Sequence, residues 1–326
     1  MVKIVISIPV HEAPDVVLDQ IDNFRKFLAD PVIIIHISGS TKTIFPIDDI
    51  TSRKNVFINP THLKTDWKNI ISTHISNFKY ACSITDLDYF VMHSSNDMYV
   101  RNGLEEYICQ YQAGFNHRYI LSDISLWEMG YPAWHDTTLQ HIRNAIGQTT
   151  IVSSQIEGSF YRKNVMKLIV EVIEQYFPDD SALVYPREEF FFSTIAEGLI
   201  GKKYTGRPTT FSEVHRYDRA FFRYLAWENS VIKNRYERNT LLQTFLHLID
   251  TGVSKTLKLI GKSKLSKQDI DNIRDGDTRY LERYLYLDDG FGPFELYDAD
   301  NVFSVKRIPR KYTNPLRQYI RELKSG

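Results

Sequence analysis

The sequence predicts an α/β fold in which a mixed, mostly parallel central sheet is flanked by helices. Three observations lead there. The first hundred residues alternate strand, helix, strand, strand, helix, strand in their apolar patterning. The segments Val2–Pro9, Val32–Ile37 and Tyr89–Met92 read as buried strands, the pattern of a sheet covered on both faces. Finally, Asp88–Val100 (DYFVMHSSNDMYV) turns abruptly polar at His93, Ser94, Ser95, Asn96 and Asp97. That change is expected at the carboxyl end of a central strand, where an open α/β sheet binds its ligands.

The elements follow in order. His11, Glu12, Ala13 and Pro14 form a turn, and Asp15 reads as the N-cap of a helix reaching about Leu28. Val16, Val17, Gln20, Ile21 and Phe24 recur there at helical spacing. The strand Val32–Ile37 ends at Ser38, Gly39 and Ser40, and Val56–Ile58 is a short third strand. Thr65–Thr85 reads as a long helix with Trp67, Ile70, Ile71, Ile75 and Phe78 on one face. Further on, Tyr119–Ser122 is a strand and Leu126–Gln148 is loop-rich. Ile151–Tyr161 is a strand and turn, and Arg162–Tyr176 an amphipathic helix. Pro186 followed by Glu188 and Glu189 suits a helix first turn. Residues 212–286 read as mostly helical, and Asn301–Ile308 as a late strand. One domain over 1–326 is expected, in two halves, 1–125 and 126–326.

Composition excludes several classes. A formal net charge of +0 gives no support to bulk nucleic-acid binding. Cys82 and Cys109, the 2 cysteines, are too few for a disulfide framework, and no Cys/His spacing suits structural zinc. A reducing cytoplasm is the default. The chain enters a strand pattern at once, with no secretory leader, and no apolar run approaches the roughly 20 residues that span a bilayer.

Asp-x-Asp pairs at strand ends commonly hold a divalent ion against phosphates. The pairs Asp86/Asp88, Asp275/Asp277 and Asp298/Asp300 all lie away from the polar strand end, which carries the lone carboxylate Asp97. One carboxylate is a poor ligand set for Mg²⁺, so no essential metal is expected. An anionic group would then be neutralised by Lys306 and Arg307, with Arg283 or Arg279 upstream. The run from Lys306 to Lys324 also reads as a solvated basic tail. Glu188 and Glu189 read as helix-terminal charges, with a proton-accepting base as the alternative for Glu189. Trp67 and Trp127 could stack on a ring or be buried, and His74, His93, His117 and His135 read as structural. The segment Leu241–Ile260, with Lys255, Lys258 and Lys262 and the basic C-terminus, suits either an anionic membrane surface or an ordinary solvated face.

Six stretches carry a resemblance. Ile4–Asn23 (IVISIPVHEAPDVVLDQIDN), Val32–Ser40, Trp67 with its helix, His93–Asp97, Pro186–Thr194 (PREEFFFST) and Phe303–Lys306 (FSVK) follow in that order. Together they resemble the core-2/I-branching β-N-acetylglucosaminyltransferase and peptide O-xylosyltransferase family. The resemblance implies a single GT-A-type domain, with nucleotide-binding half 1–125 and acceptor-binding half 126–326, and metal-independent transfer with inversion. It implies Glu189 as catalytic base, and Lys306 with Arg283 and Arg307 on the donor diphosphate. Glu157 and Glu188 fall on the acceptor side, and Pro9, Val10, His11, Ser38, Trp67 and Asp97 at the nucleotide end. Ser38 stands where the family has the aspartate that reads uracil, which leaves UDP as the expected donor nucleotide without that contact. The implied donor sugar is of the GlcNAc or xylose type. The implied acceptor is a glycan or lipid-linked glycan, in the cytoplasm or at the inner face of the membrane. The alternatives are a metal-dependent transferase using Asp97, or a non-catalytic carbohydrate-binding protein of the same fold.

Overall fold

The computed structural model describes residues 2–65, 70–120, 129–176, 185–212, 265–277, 286–288, 293–295 and 301–325. Its centre is strand β1 (Ile4–Val10), in which every residue is buried. Side chains alternate across a strand, so Ile4, Ile6, Ile8 and Val10 enter one apolar cluster while Val5 enters another. The same division holds in β2 (Val32–Ile37), with Ile33, Ile35 and Ile37 opposite Ile34. It holds again in β4 (Tyr89–Met92), with Tyr89 and Val91 opposite Phe90 and Met92. A strand that feeds two cores has no solvent face, so its residues are mostly apolar and a polar one such as Ser7 must find a partner inside; this is why these segments read as apolar runs.

Helix α1 (Pro14–Phe27) covers the first face with Val17, Ile21 and Phe24. The second face is covered by α3 (Ile71–Ile84), through Ile71, Ile75 and Phe78. Between them run the short helix α2 (Ile47–Thr51) and strand β3 (Val56–Ile58). After β4 come β5 (Met98–Tyr99), α4 (Leu104–Ile108), β6 (Ala113–Gly114) and β7 (His117–Ile120). Then follow α5 (Gly130–Trp134), α6 (Thr137–Ala145), β8 (Ile151–Ser153) and β9 (Phe160–Arg162). Helices α7 (Lys163–Tyr176) and α8 (Glu188–Ile200) complete the second face. The described remainder holds β10 (Thr205–Gly206), β11 (Thr210–Phe211), α9 (Lys267–Arg274), β12 (Tyr286–Asp288), β13 (Pro293–Glu295), β14 (Ser304–Val305) and α10 (Pro315–Glu322).

The main sheet has 7 strands in the order β10-β6-β9-β4-β1-β2-β3. Strands β3, β2, β1 and β4 are parallel, and β6 and β10 are parallel to one another. Strand β9 runs against both β4 and β6, so it alone is reversed. This is the expected α/β architecture. A second sheet, β11-β14-β5, sits beyond the carboxyl end of β4, with β14 between its neighbours. A third, β12-β13-β7-β8, is antiparallel. Among the described residues no helix is long and apolar enough to cross a membrane.

Several sequence expectations are corrected. The cap of α1 is Ala13 (φ 52°), not Asp15, because Pro14 takes the first helical position and Val17 N–H already bonds the Ala13 carbonyl at 3.1 Å. The loop-rich stretch contains α5 and α6. Asp136 caps α6 by accepting from Leu139 N–H at 2.9 Å, and Leu139 and Ile142 face the core. The described part of the Thr65–Thr85 helix starts at Ile71, and the late strand is regular only at Ser304–Val305. Within 212–286, residues 213–264 lie outside the described residues, as does the Lys255–Lys262 membrane expectation.

The basic C-terminus is no solvated tail. Arg317 of α10 is fully buried and donates to Asp19 of α1 at 2.7 Å, and Arg321 reaches the same carboxylate at 3.3 Å. Asn314 caps α10 by accepting from Leu316 N–H at 2.9 Å. Removing one partner of a buried ion pair leaves the other uncompensated. Arg317→Ala is therefore expected to cost about 3–5 kcal/mol in urea unfolding, and Arg317→Met with Asp19→Leu should restore most of it. A loss no larger for the single than for the double variant would contradict this anchor.

Candidate active site

Three segments converge beyond the carboxyl end of β4. The first is the turn at Glu157 and Gly158. Gly158 has φ +76°, and a Cβ there would stand 2.3 Å from Thr210 Oγ1 and 2.4 Å from Thr210 N. Only glycine fits so close an approach. Its N–H donates to the Met92 carbonyl at 2.8 Å, and its carbonyl accepts from Thr209 N–H at 2.9 Å. Glu157 is thereby fixed between the end of β4 and the start of β11.

The second segment is the exit of β14. Lys306 N–H donates to the Phe211 carbonyl at 2.9 Å, and Lys306 Nζ meets Glu157 Oε2 at 2.5 Å, with both side chains 12% exposed. Arg307 follows with φ 68°, a left-handed conformation unusual outside glycine. Such strain, of order 1–3 kcal/mol, clusters at functional sites.

The third is the start of α8. Ser193 donates to the Val152 carbonyl at 2.6 Å, Thr194 Oγ1 accepts from Val152 N–H at 2.9 Å, and the Glu189 carbonyl accepts from Ser154 N–H at 2.7 Å. These bonds lay the helix start along β8, beside the Glu157 turn. Asp136 braces the approach by accepting from Arg187 Nε at 2.9 Å and from the Tyr185 hydroxyl at 2.8 Å. One buried carboxylate thus joins the N-terminus of α6 to the segment that carries Glu189.

Glu189 is half-buried, and its carboxyl is raised to about 7. Burial is the main cause, and the charge of Glu157 adds to it. Lys306, Arg118 and Arg307 pull the other way. For Glu157 the balance differs. Burial works to raise its carboxyl, but the charge and hydrogen bond of Lys306 hold it below the ordinary value. A near-neutral carboxyl, an ion pair and two arginines share one site, as acid–base chemistry next to an anion requires.

The sequence-based residues divide. Glu189, Glu157, Lys306 and Arg307 are brought together, and Glu188 lies buried beside Glu189. Trp67, Arg279 and Arg283 lie outside the described residues, as does Trp127. Pro9 and Val10 are buried at the end of β1, and His11 is exposed, 3.5 Å from Glu12. Ser38 is buried, with Oγ accepting from Thr65 N–H at 3.0 Å, so it joins the end of β2 to the following loop. Asp97 lies in the turn after β4. It is fully buried and accepts from Ser94 N–H at 2.9 Å and Ser94 Oγ at 2.7 Å, with His93 Nδ1 at 3.1 Å. These bonds hold its own turn.

Other residues of the site went unread. Arg118 sits in β7 opposite Ser153, and nothing in His117–Ile120 marks it. Arg310 donates to Ser95 Oγ at 3.1 Å and pairs with Glu12, placing another cation at the strand ends. His74 was read as structural. Asn77 donates to Ser7 Oγ at 2.9 Å, and Ser7 Oγ shares a hydrogen bond of 2.8 Å with His74 Nδ1. Burial lowers His74 to about 3, against the opposing pull of Glu157, and keeps it neutral.

No protein-family description matches the chain, and neither does any curated protein. Among solved structures it is similar to galactosyltransferase LgtC in complex with donor and acceptor sugar analogs, at 11% identity and TM-score 0.38, over 66% of this chain and 78% of that one. It is similar also to S. aureus TarS, at 11% identity and TM-score 0.38, over 86% of this chain and 50% of that one. The apo-form glycosyltransferase GlyE of Streptococcus pneumoniae TIGR4 stands at 7% identity and TM-score 0.35, over 69% of this chain and 50% of that one. Scores at this level establish no relationship, so the chemistry is argued from the site itself.

The raised Glu189 carboxyl has a consequence for stability. Folding lifts it from 4.5 to about 7, so the folded state favours its protonated form. That contribution is fully present below about 4.5 and is lost as pH rises through about 7. Glu189→Gln, a permanent mimic of the protonated form, is expected to melt above the unmodified protein at pH 8 and to converge with it near pH 4.5. A lower melting temperature for the variant at pH 8 would contradict the burial account.

Proposed function

We propose that the protein is a glycosyltransferase of GT-A type that transfers a sugar with inversion, without an essential divalent ion. The observation that carries this reading is the near-neutral carboxyl of Glu189 in one site with the Lys306–Glu157 pair and Arg307. A sugar hydroxyl is a poor nucleophile. Glu189 takes its proton as the oxygen attacks the anomeric carbon, and the bond from that carbon to the diphosphate breaks on the opposite side. The electron pair leaves on the phosphate oxygen, where Lys306 and Arg307 stabilise the growing negative charge. Arg283 joins them by resemblance.

The donor is proposed to be a UDP-sugar of the GlcNAc or xylose type, on the same resemblance. The acceptor is a glycan or lipid-linked glycan, with Glu157 and Glu188 on its side and transfer in the cytoplasm or at the inner face of the membrane. Asp97 argues against the metal-dependent alternative, since its oxygens are taken by Ser94 and His93 inside the protein. A purely binding protein has no use for a carboxyl poised near neutrality.

Transfer in excess EDTA tests this. Turnover is expected to persist in the chelator, and kcat/KM to rise with pH to a plateau above about 7, as Glu189 of the free protein loses its proton. Glu189→Gln should bind donor and lose roughly 10²-fold or more in turnover. Near-normal turnover in that variant removes Glu189 from the role, and activity abolished by EDTA and restored by Mg²⁺ removes the metal-free reading.

A further inference from the structure

The pairing of Lys306 puts the cation proposed for the leaving group in the grip of a carboxylate proposed for the acceptor. Glu157 is the fixed member. Its turn is pinned by Gly158 to the end of β4 and by Thr209 to the approach of β11. Lys306 is the less constrained member: apart from this pairing its backbone is tied to Phe211, and a flexible four-carbon stem carries its charge. The two atoms stand 2.5 Å apart with both side chains 12% exposed, a charge-assisted bond with little competition from water.

Resting on the reading of Lys306 given above, we propose that Glu157 is an internal counter-ion that competes with the donor diphosphate for Lys306, so that the acceptor-facing carboxylate is released only after the donor has bound. A diphosphate carries more charge and more acceptor oxygens than one carboxylate, so it can draw the ammonium away. The carboxylate left behind is buried and needs new partners. Acceptor hydroxyls can supply them, since an ionised carboxylate only accepts hydrogen bonds. His74, held neutral beneath the site, supplies no charge. Arg307 also acts on both carboxylates, and Arg118 on Glu189. The same movement acts on Glu189. It removes the lysine that favours the ionised form and leaves the carboxylate that disfavours it, so the base gains proton affinity when the donor is in place.

Calorimetric titration with UDP tests the competition. Glu157→Gln is expected to tighten UDP binding by roughly tenfold or more, the scale of a hydrogen bond to a charged group, and Lys306→Met to weaken it. The double variant should match Lys306→Met alone. If Glu157→Gln binds no tighter while Lys306→Met loses affinity, the competition is wrong and the phosphate role of Lys306 stands. If Lys306→Met binds as the unmodified protein does, the proposed function itself fails at this residue. A second measurement leaves the ion pair intact. UDP binding near pH 7 in two buffers of different ionisation enthalpy gives the protons taken up, and the unmodified protein should take up more than Glu189→Gln. Equal uptake overturns the coupling.

Discussion

The bond from Lys306 to Glu157 joins the late part of the chain to its middle inside the candidate site. Lys306 arrives on β14, a strand added between β11 and β5, and Glu157 on the turn between β8 and β9. Neither segment has the length to hold a position alone. The turn depends on a glycine where a Cβ would strike Thr210, and β14 depends on pairing with Thr210, Phe211, Met98 and Tyr99. The cation holds the carboxylate below its ordinary value, and both act on the proton affinity of Glu189 nearby. The chemistry of the site is thus a balance among a few buried charges on separate elements, more than a property of any one residue.

That balance has a structural cost. Glu189 at the start of α8 would be an ordinary helix-terminal carboxylate if it faced water. Here burial opposes its ionisation, and Arg307 is held in a left-handed conformation next to Lys306. Both features work against stability, and both concern residues of the proposed site. Other links offset them. Asp136 joins α6 to the segment that leads to Glu189, and Arg317 and Arg321 converge on Asp19 to lock the last helix onto α1.

Much of the framework was legible in the amino-acid order. Strands β1, β2 and β4 were readable because burial on both faces leaves continuous apolar runs, and α7 because its apolar residues keep a helical period. Strands of two residues, β5, β6, β10, β11 and β14, carry no period to read; pairing partners far along the chain define them. In the site, Glu189 and Lys306 were legible through motif resemblance and residue chemistry, and their meeting was expected from it. Arg118 was not, since an arginine between His117 and Tyr119 has no local signature. The local bonds of Asp97 were not legible, since a carboxylate after a polar strand end reads first as a ligand contact. Its spacing from Ser94 instead makes a local hydrogen-bonded turn.

The most direct test of the central claim, that Glu189 and Lys306 act on opposite sides of one anomeric carbon, is a crystal structure with UDP bound. The account predicts diphosphate oxygens on Lys306 Nζ and Arg307, Glu157 released from the lysine, and the Glu189 carboxylate facing the terminal phosphate across a space the size of a sugar ring. A diphosphate bound away from Lys306, with the Lys306–Glu157 pair intact, would contradict it.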